Sequence, residues 1–244
     1  MEGKLTNFKE ITTIVFDLDG TLRHHRPTYE QEIFKIAQNY GIPNDKEILK
    51  DTYRWAHYYW AQSEELLKDH AEHTEFIDLF REIYVKRVLS VMGVTDDLIE
   101  VSSQKAINHL YDGFESEDYI PDDIIPTLQA LRDAGYPTGL VTNRRRPIDE
   151  YLEEIGIKDL LDFYYIAGEL DTWKPDPRVF APTLEITKAK PSEILYVGDN
   201  PFADVQGARN AGFIPVLVDH RNLFPDTDCP IIKNISDLLP LLGI

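Results

Sequence analysis

Cysteine is almost missing from this 244-residue chain, where Cys229 stands alone. No intrachain disulfide can form, and no cysteine cage for zinc or an iron–sulfur cluster exists. Its neighbours in DTDCP include no His or basic residue, so an inert thiol is expected. Positive charge is scarce too. Lys and Arg number 25 against 43 Asp and Glu, a formal net charge of −18. A surface that acidic repels phosphate backbones and excludes a broad nucleic-acid footprint. A small anion can still be taken where a metal and a few Lys or Arg make a local positive site. Long apolar runs are lacking as well. None approaches the ~20 residues of a membrane span, and MEGKLTNFKE has no basic-then-apolar signal pattern. A cytoplasmic protein with no membrane partner is the expectation.

Several short apolar runs are present. ITTIVFDL (11–18), PTGLVTN (137–143), DFYYIAG (162–168), EILYVGD (193–199) and FIPVLVD (213–219) have strand character. They are near-continuous rather than alternating, which predicts strands buried on both faces, as in a parallel sheet. Helical patterns separate the later runs: IIPTLQALRDAG, PIDEYLEEIG, DPRVFAPTLEITKA and PFADVQGARNAG. This alternation predicts an α/β fold with a doubly wound parallel sheet.

The stretch from 23 to 120 breaks the rhythm and shows no convincing strand. YEQEIFKIAQNYG, DKEILKDTYRWAHYYWAQ, EFIDLFREIYVKRVLSVMG and DDLIEVSSQKAINHLYDG read as amphipathic helices, with Gly41, Gly93 and Gly113 where they would end. The expected organisation is a core of 1–22 and 121–244, with an all-helical insert over 23–120.

Ligands of parallel α/β sheets bind at the carboxyl ends of strands. Three such ends carry polar chemistry here: Asp17-Leu18-Asp19-Gly20-Thr21, Thr142-Asn143, and Gly198-Asp199-Asn200 with Asp204 further on. Lys174 lies in the loop WKPDP, where Asp176 and Pro177 suit the cap and first residue of a helix. Converging carboxylates is costly, since two unit charges ~4 Å apart repel by roughly 4 kcal/mol at an effective dielectric near 20. A divalent cation and Lys174 are the natural compensators. An all-oxygen ligand set suits Mg²⁺ rather than zinc or copper. With Gly20 turning the chain, Asp19 can swing over the site, so one carboxylate attacks while the other moves protons.

In FDLDGTL, LVTNR, WKPDP and VGDNPFAD, taken in that order, the chain resembles the haloacid-dehalogenase-like superfamily, in the subclass with a helical cap. The resemblance implies a Rossmann-like core with an inserted cap. It also implies a phosphatase that takes a small phosphorylated metabolite as a monomer or homodimer. Asp17 is then the nucleophile that becomes an aspartyl phosphate, and Asp19 the general acid and base. Thr142 hydrogen-bonds a phosphoryl oxygen, and Lys174 neutralises Asp17 and the phosphate. The Asp17 carboxylate, the Asp19 carbonyl and the Asp199 carboxylate bind Mg²⁺, with Asp204 orienting them. Asn143 and Arg144 join Thr142 and Lys174 as expected substrate contacts. A phosphomutase or phosphotransferase would use the same groups. Carbon–halogen hydrolysis is disfavoured by the presence of Asp19, and a silent binding module by the presence of Asp17, Asp19 and Lys174.

Other features have a plain reading beside a functional one. Arg144-Arg145-Arg146 reads as a solvated loop, with Arg144 as the candidate to face substrate. Arg23-His24-His25-Arg26 reads as a hinge into the insert, with a substrate contact as the alternative. YRWAHYYW (53–60) reads mostly as core of the insert. His70 and His73 read as a polar face rather than a zinc site.

Overall fold

The computed structural model describes residues 8–73, 77–111 and 114–244. Gly113 and the side chain of His73 lie outside the described residues. Five of the eight strands among the described residues fall where near-continuous apolar runs predict them: β1 (Thr13–Phe16), β4 (Thr138–Thr142), β5 (Phe163–Ile166), β6 (Ile194–Gly198) and β7 (Ile214–Val218). A sixth, β8 (Ile231–Ile232), joins them in one sheet of order β5-β4-β1-β6-β7-β8. Every neighbouring pair is parallel. β1, β4 and β6 are buried along their whole length, which explains their apolar runs.

The chain divides into two compact units, Met1–His24 with Tyr119–Ile244, and His25–Asp118. In the first, the sheet carries apolar cores on both faces. One holds Phe16, Leu18, Leu128, Leu140 and Leu195, the other Val15, Val141, Phe180, Tyr196 and Phe213. The flanking helices are α6 (Ile124–Asp133), α7 (Asp149–Glu154), α8 (Ala167–Leu170), α9 (Ala181–Thr187), α10 (Gln206–Asn210) and α11 (Leu238–Leu242). Before α9 the chain makes a short 3₁₀ turn, Pro177–Phe180, with Asp176 capping it through the Arg178 N–H at 2.9 Å. Before α10 a π-helical turn, Pro201–Val205, starts at Asn200, whose side chain accepts from the N–H groups of Phe202 and Ala203. The helix expected over the whole of PFADVQGARNAG is therefore a π turn running into a five-residue α-helix.

The second unit contains α1 (Tyr29–Ala37), α2 (Lys46–Trp60), α3 (Glu64–His73), α4 (Ile77–Val91) and α5 (Asp96–Tyr111). Its core gathers Ile33, Tyr59, Val88, Leu89 and Ala106, all fully buried. Thr28 opens α1 with a reciprocal capping box to Gln31. Tyr59 and Tyr53 are buried and Trp55 stacks on Tyr59 at 4.9 Å between ring centroids. Tyr58 and Trp60, by contrast, are exposed. Three consecutive aromatics cannot share one helical face. His70 stacks on Phe80.

The reading that 23–120 lacks strands needs correction. β2 (His24–Arg26) and β3 (Glu117–Tyr119) form a two-stranded sheet of their own. Both are three residues long and polar, HHR and EDY, so neither leaves a hydrophobic period to read. Among the described residues no helix is long and apolar enough to cross a membrane.

Candidate active site

β1 lies at the middle of the sheet and delivers Asp17 directly after its last residue. The Asp17 N–H still bonds the Val197 carbonyl at 2.9 Å, so the residue is held as an extension of the strand. The chain then turns sharply. The N–H groups of Thr21, Leu22 and Arg23 all converge on the Leu18 carbonyl, and the Gly20 N–H bonds the Arg23 carbonyl. Gly20 sits at φ +89°, and a Cβ there would lie 2.1 Å from Asp199 Oδ2. Glycine is thus required twice, for the backbone angle and for the approach of the carboxylate. Gly198 has the same relation to Asp204, whose Cγ would meet an added Cβ at 2.3 Å.

Asp17 and Lys174 are both buried. The Lys174 ammonium donates to Asp17 Oδ1 at 2.5 Å, to Asp204 Oδ1 at 2.7 Å and to the Tyr196 hydroxyl at 3.0 Å. Its three N–H groups are all spent. Tyr196 passes its own proton to the Val141 carbonyl at 2.9 Å. Asp204 also accepts the Asn200 N–H at 2.9 Å. Sequence reasoning passed over Tyr196, reading it only as a strand residue. The available signal was a tyrosine inside a fully buried strand, since a buried hydroxyl needs a partner.

Carboxylate oxygens of Asp17, Asp199 and Asp204 lie within 4.8 Å of one another. This all-oxygen, anionic donor set fits a hard divalent cation. Burial, together with the Asp204 and Asp19 charges, pushes the Asp17 carboxyl up to about 7 in spite of Lys174. Burial and the Asp204 and Asp17 charges likewise push Asp199 well above the usual carboxylate range. Arg221, in the loop after β7, pulls Asp199 back by its charge. It is a second residue that the sequence reading missed. On Lys174 burial opposes the charge, but Asp17 and Asp204 outweigh it and hold the ammonium protonated well beyond the ordinary range.

These shifts carry a sign. A carboxyl whose folded value is raised binds its proton more tightly in the native state, so stability falls as pH rises through the window between about 4 and 7. Without divalent cation, the melting temperature should therefore rise on going from pH 8 to pH 6. Saturating Mg²⁺ should raise the stability at pH 8 by about 2–3 kcal/mol at 100 times its Kd, lift the melting temperature there, and flatten the slope. Calorimetry of the wild type and of Asp199→Asn measures both, and a Mg²⁺ increment that survives the substitution would remove Asp199 from the cation site.

Thr142 ends β4 and is buried beside this cluster's strand. Asn143 follows it but does not present its amide as expected of a substrate contact. Its Nδ2 donates to the Lys174 carbonyl at 3.1 Å, and its Oδ1 accepts the Lys174 N–H at 2.8 Å. The amide is used on the lysine's backbone.

Arg144 is not simply solvated. Its Nε donates to Asp19 Oδ2 and its Nη2 to Asp19 Oδ1, both at 2.7 Å. Arg145 stacks over Trp173, and Arg146 is exposed. Arg23 donates to Asp19 Oδ1 at 3.0 Å, while Arg26 pairs with Glu117. Cys229 is half-buried, and burial pushes its thiol up to about 11, which agrees with an inert cysteine.

In a parallel α/β sheet, a buried Asp17–Lys174 pair meets a carboxylate trio drawn from the ends of β1 and β6 and the turn after β6. The family model for haloacid dehalogenase-like hydrolases matches residues 11–212, and the chain belongs to that family. It is 25% identical to haloacid dehalogenase-like hydrolase domain-containing protein 3 of Bos taurus, over 96% of this chain and 94% of the relative. It is 27% identical to pyrophosphatase PpaX of Bacillus mycoides, over 96% and 98%, and 24% identical to phosphoglycolate phosphatase of Shigella boydii, over 98% and 96%. The fold matches the crystal structure of a predicted phosphoglycolate phosphatase from Haemophilus somnus with a TM-score of 0.58 at 22% identity, covering 96% of this chain and 99% of that one.

Proposed function

We propose that this protein is a Mg²⁺-dependent phosphatase that hydrolyses a small-molecule phosphate monoester through an aspartyl phosphate on Asp17. The observation that carries the reading is the buried Asp17 carboxylate, with Oδ1 held by Lys174 at 2.5 Å and oxygens of Asp199 and Asp204 close by. The names of two relatives, a pyrophosphatase and a phosphoglycolate phosphatase, support phosphate as the group acted on.

In the first step an Asp17 oxygen bonds to phosphorus while the ester P–O bond breaks. The departing oxygen takes a proton from Asp19. In the second, water attacks the phosphorus of the aspartyl phosphate, gives a proton to Asp19, and returns the Asp17 carboxylate with release of phosphate. Thr142 hydrogen-bonds a phosphoryl oxygen. Lys174, with every N–H committed, acts on the phosphate through its charge and fixes which Asp17 oxygen is left to attack. Asp17, the Asp19 carbonyl and Asp199 would hold Mg²⁺, and Asp204 would orient them. The cation supplies charge neutralisation for the crowded oxygens when bound. The rest of the catalysis is positioning.

A panel of phosphorylated metabolites assayed by phosphate release tests the reading. At least one small monoester should turn over with Mg²⁺. Excess EDTA should lower the rate by at least about 10²-fold, reversibly, and a 2-haloacid control should release no halide. Full activity in EDTA, or halide release without phosphatase activity, would overturn it.

A further inference from the structure

Asp19 is bracketed rather than free. Three charge-assisted N–H bonds reach its two oxygens, two from the Arg144 fork and one from Arg23. The bracket is itself braced. The Arg144 guanidinium lies over the Tyr151 ring, 4.5 Å from its centroid, and Arg23 Nε donates to the Tyr151 hydroxyl at 3.0 Å. Tyr151 therefore joins both arginines from one side. Each corner is anchored separately. Arg144 follows β4, Arg23 ends the tight turn after β1, and Tyr151 sits on α7 between Ile148 and Leu152, both in the core. Fork-to-carboxylate pairs give direction as well as energy, because both donors must lie in the plane of the acceptor group.

We propose that Arg144, Arg23 and Tyr151 are positioning residues for Asp19. They set the direction of its carboxylate for proton transfer, and Arg144 does not contact the substrate. The inference rests on Asp19 acting as general acid and base, as under the proposed function. Spending Arg144 on phosphate would break two bonds at 2.7 Å and strip Asp19 of its fork. Under the proposed function Lys174, Thr142 and the cation site already serve the phosphate.

Two aryl esters with leaving groups of different basicity separate a proton-transfer defect from a phosphate-binding defect. Phenyl phosphate expels a phenolate that needs a proton, whereas 2,4-dinitrophenyl phosphate expels one that leaves unaided. Arg144→Gln should lower kcat/KM for phenyl phosphate by about 30-fold and for the dinitrophenyl ester by less than about threefold. In an Asp19→Asn background it should add less than about twofold, because residues that act through one another are not additive. Arg144→Lys, which keeps the charge but not the fork, should restore less than about threefold of the loss. Thermal melts check folding. If Arg144→Gln does not fold, Tyr151→Leu, which removes the brace alone, is judged by the same ratio of esters. Equal losses on both esters, additivity with Asp19→Asn, full rescue by lysine, or no loss at all would overturn the proposal. Asp19→Asn alone marks the difference from the underlying reading. If that variant hydrolyses phenyl phosphate at the wild-type rate, Asp19 is not the acid and the inference falls with it.

Discussion

Asp17→Asn is expected to lower turnover by at least about 10⁴-fold while leaving the protein folded. The amide cannot form the phosphoryl ester that the carboxylate forms, yet it fits the same space. Its Oδ1 can still accept from Lys174, which sits 2.5 Å from the aspartate oxygen. The same change removes one charge from a cluster in which burial and neighbouring carboxylates raise Asp17 to about 7. Ionised Asp17 is thus a strained group at pH 8 without cation. Its loss should stabilise the metal-free protein by ~1–2 kcal/mol, less than the shift alone implies, because Lys174 loses a counter-charge. Inactivity combined with a higher melting temperature at pH 8 is the expected result. Undiminished turnover would rule out Asp17 as nucleophile, and a collapsed melt would trace the inactivity to folding.

Lys174→Met is expected to have the largest effect on stability. The lysine is buried and is the shared partner of Asp17, Asp204 and Tyr196. Methionine fills a similar volume but leaves two buried carboxylates and a hydroxyl without their donor. Removing one member of a buried ion pair costs about 3–5 kcal/mol. The loss should be greatest above about pH 7, where Asp17 is charged, and should shrink toward pH 5 as a proton on Asp17 removes the charge that the ammonium balanced. Denaturant melts at the two pH values measure this. A loss below about 1 kcal/mol at pH 8 would mean that water or a rearranged cluster takes over the lysine's role.

The sheet was legible because its strands are buried on both faces. ITTIVFDL and EILYVGD could hardly be anything else, and both lie in the middle of the sheet as β1 and β6. β2, β3 and β8 were not legible, because elements of two or three residues carry no period. The position of Asp17, Asp199 and Lys174 followed from strand ends and loop chemistry, and their oxygens and ammonium do gather at one place. What a residue does with its hydrogen bonds was much less visible. Asn143 beside Thr142 reads equally well as an amide for substrate or as a clamp on another loop, and only the fold brings Lys174 within its reach. Arg144 presents the same problem. Its partner Asp19 is 125 positions earlier, and nothing in the sequence separates an arginine aimed at phosphate from one aimed at a carboxylate. Arg221 was missed because a charge acting on Asp199 from the next strand end leaves no motif.

The Asn143 amide pairs with the backbone of Lys174 in the way one strand pairs with another, giving and receiving one bond. A side chain thus stands in for a missing stretch of ladder. The segment carrying the lysine is stitched to the residue just after β4. A change at position 143 should therefore disturb the lysine-bearing loop as well as the end of β4. The lysine's backbone is fixed by one side chain from β4's end, while its ammonium is fixed by Asp17, Asp204 and Tyr196.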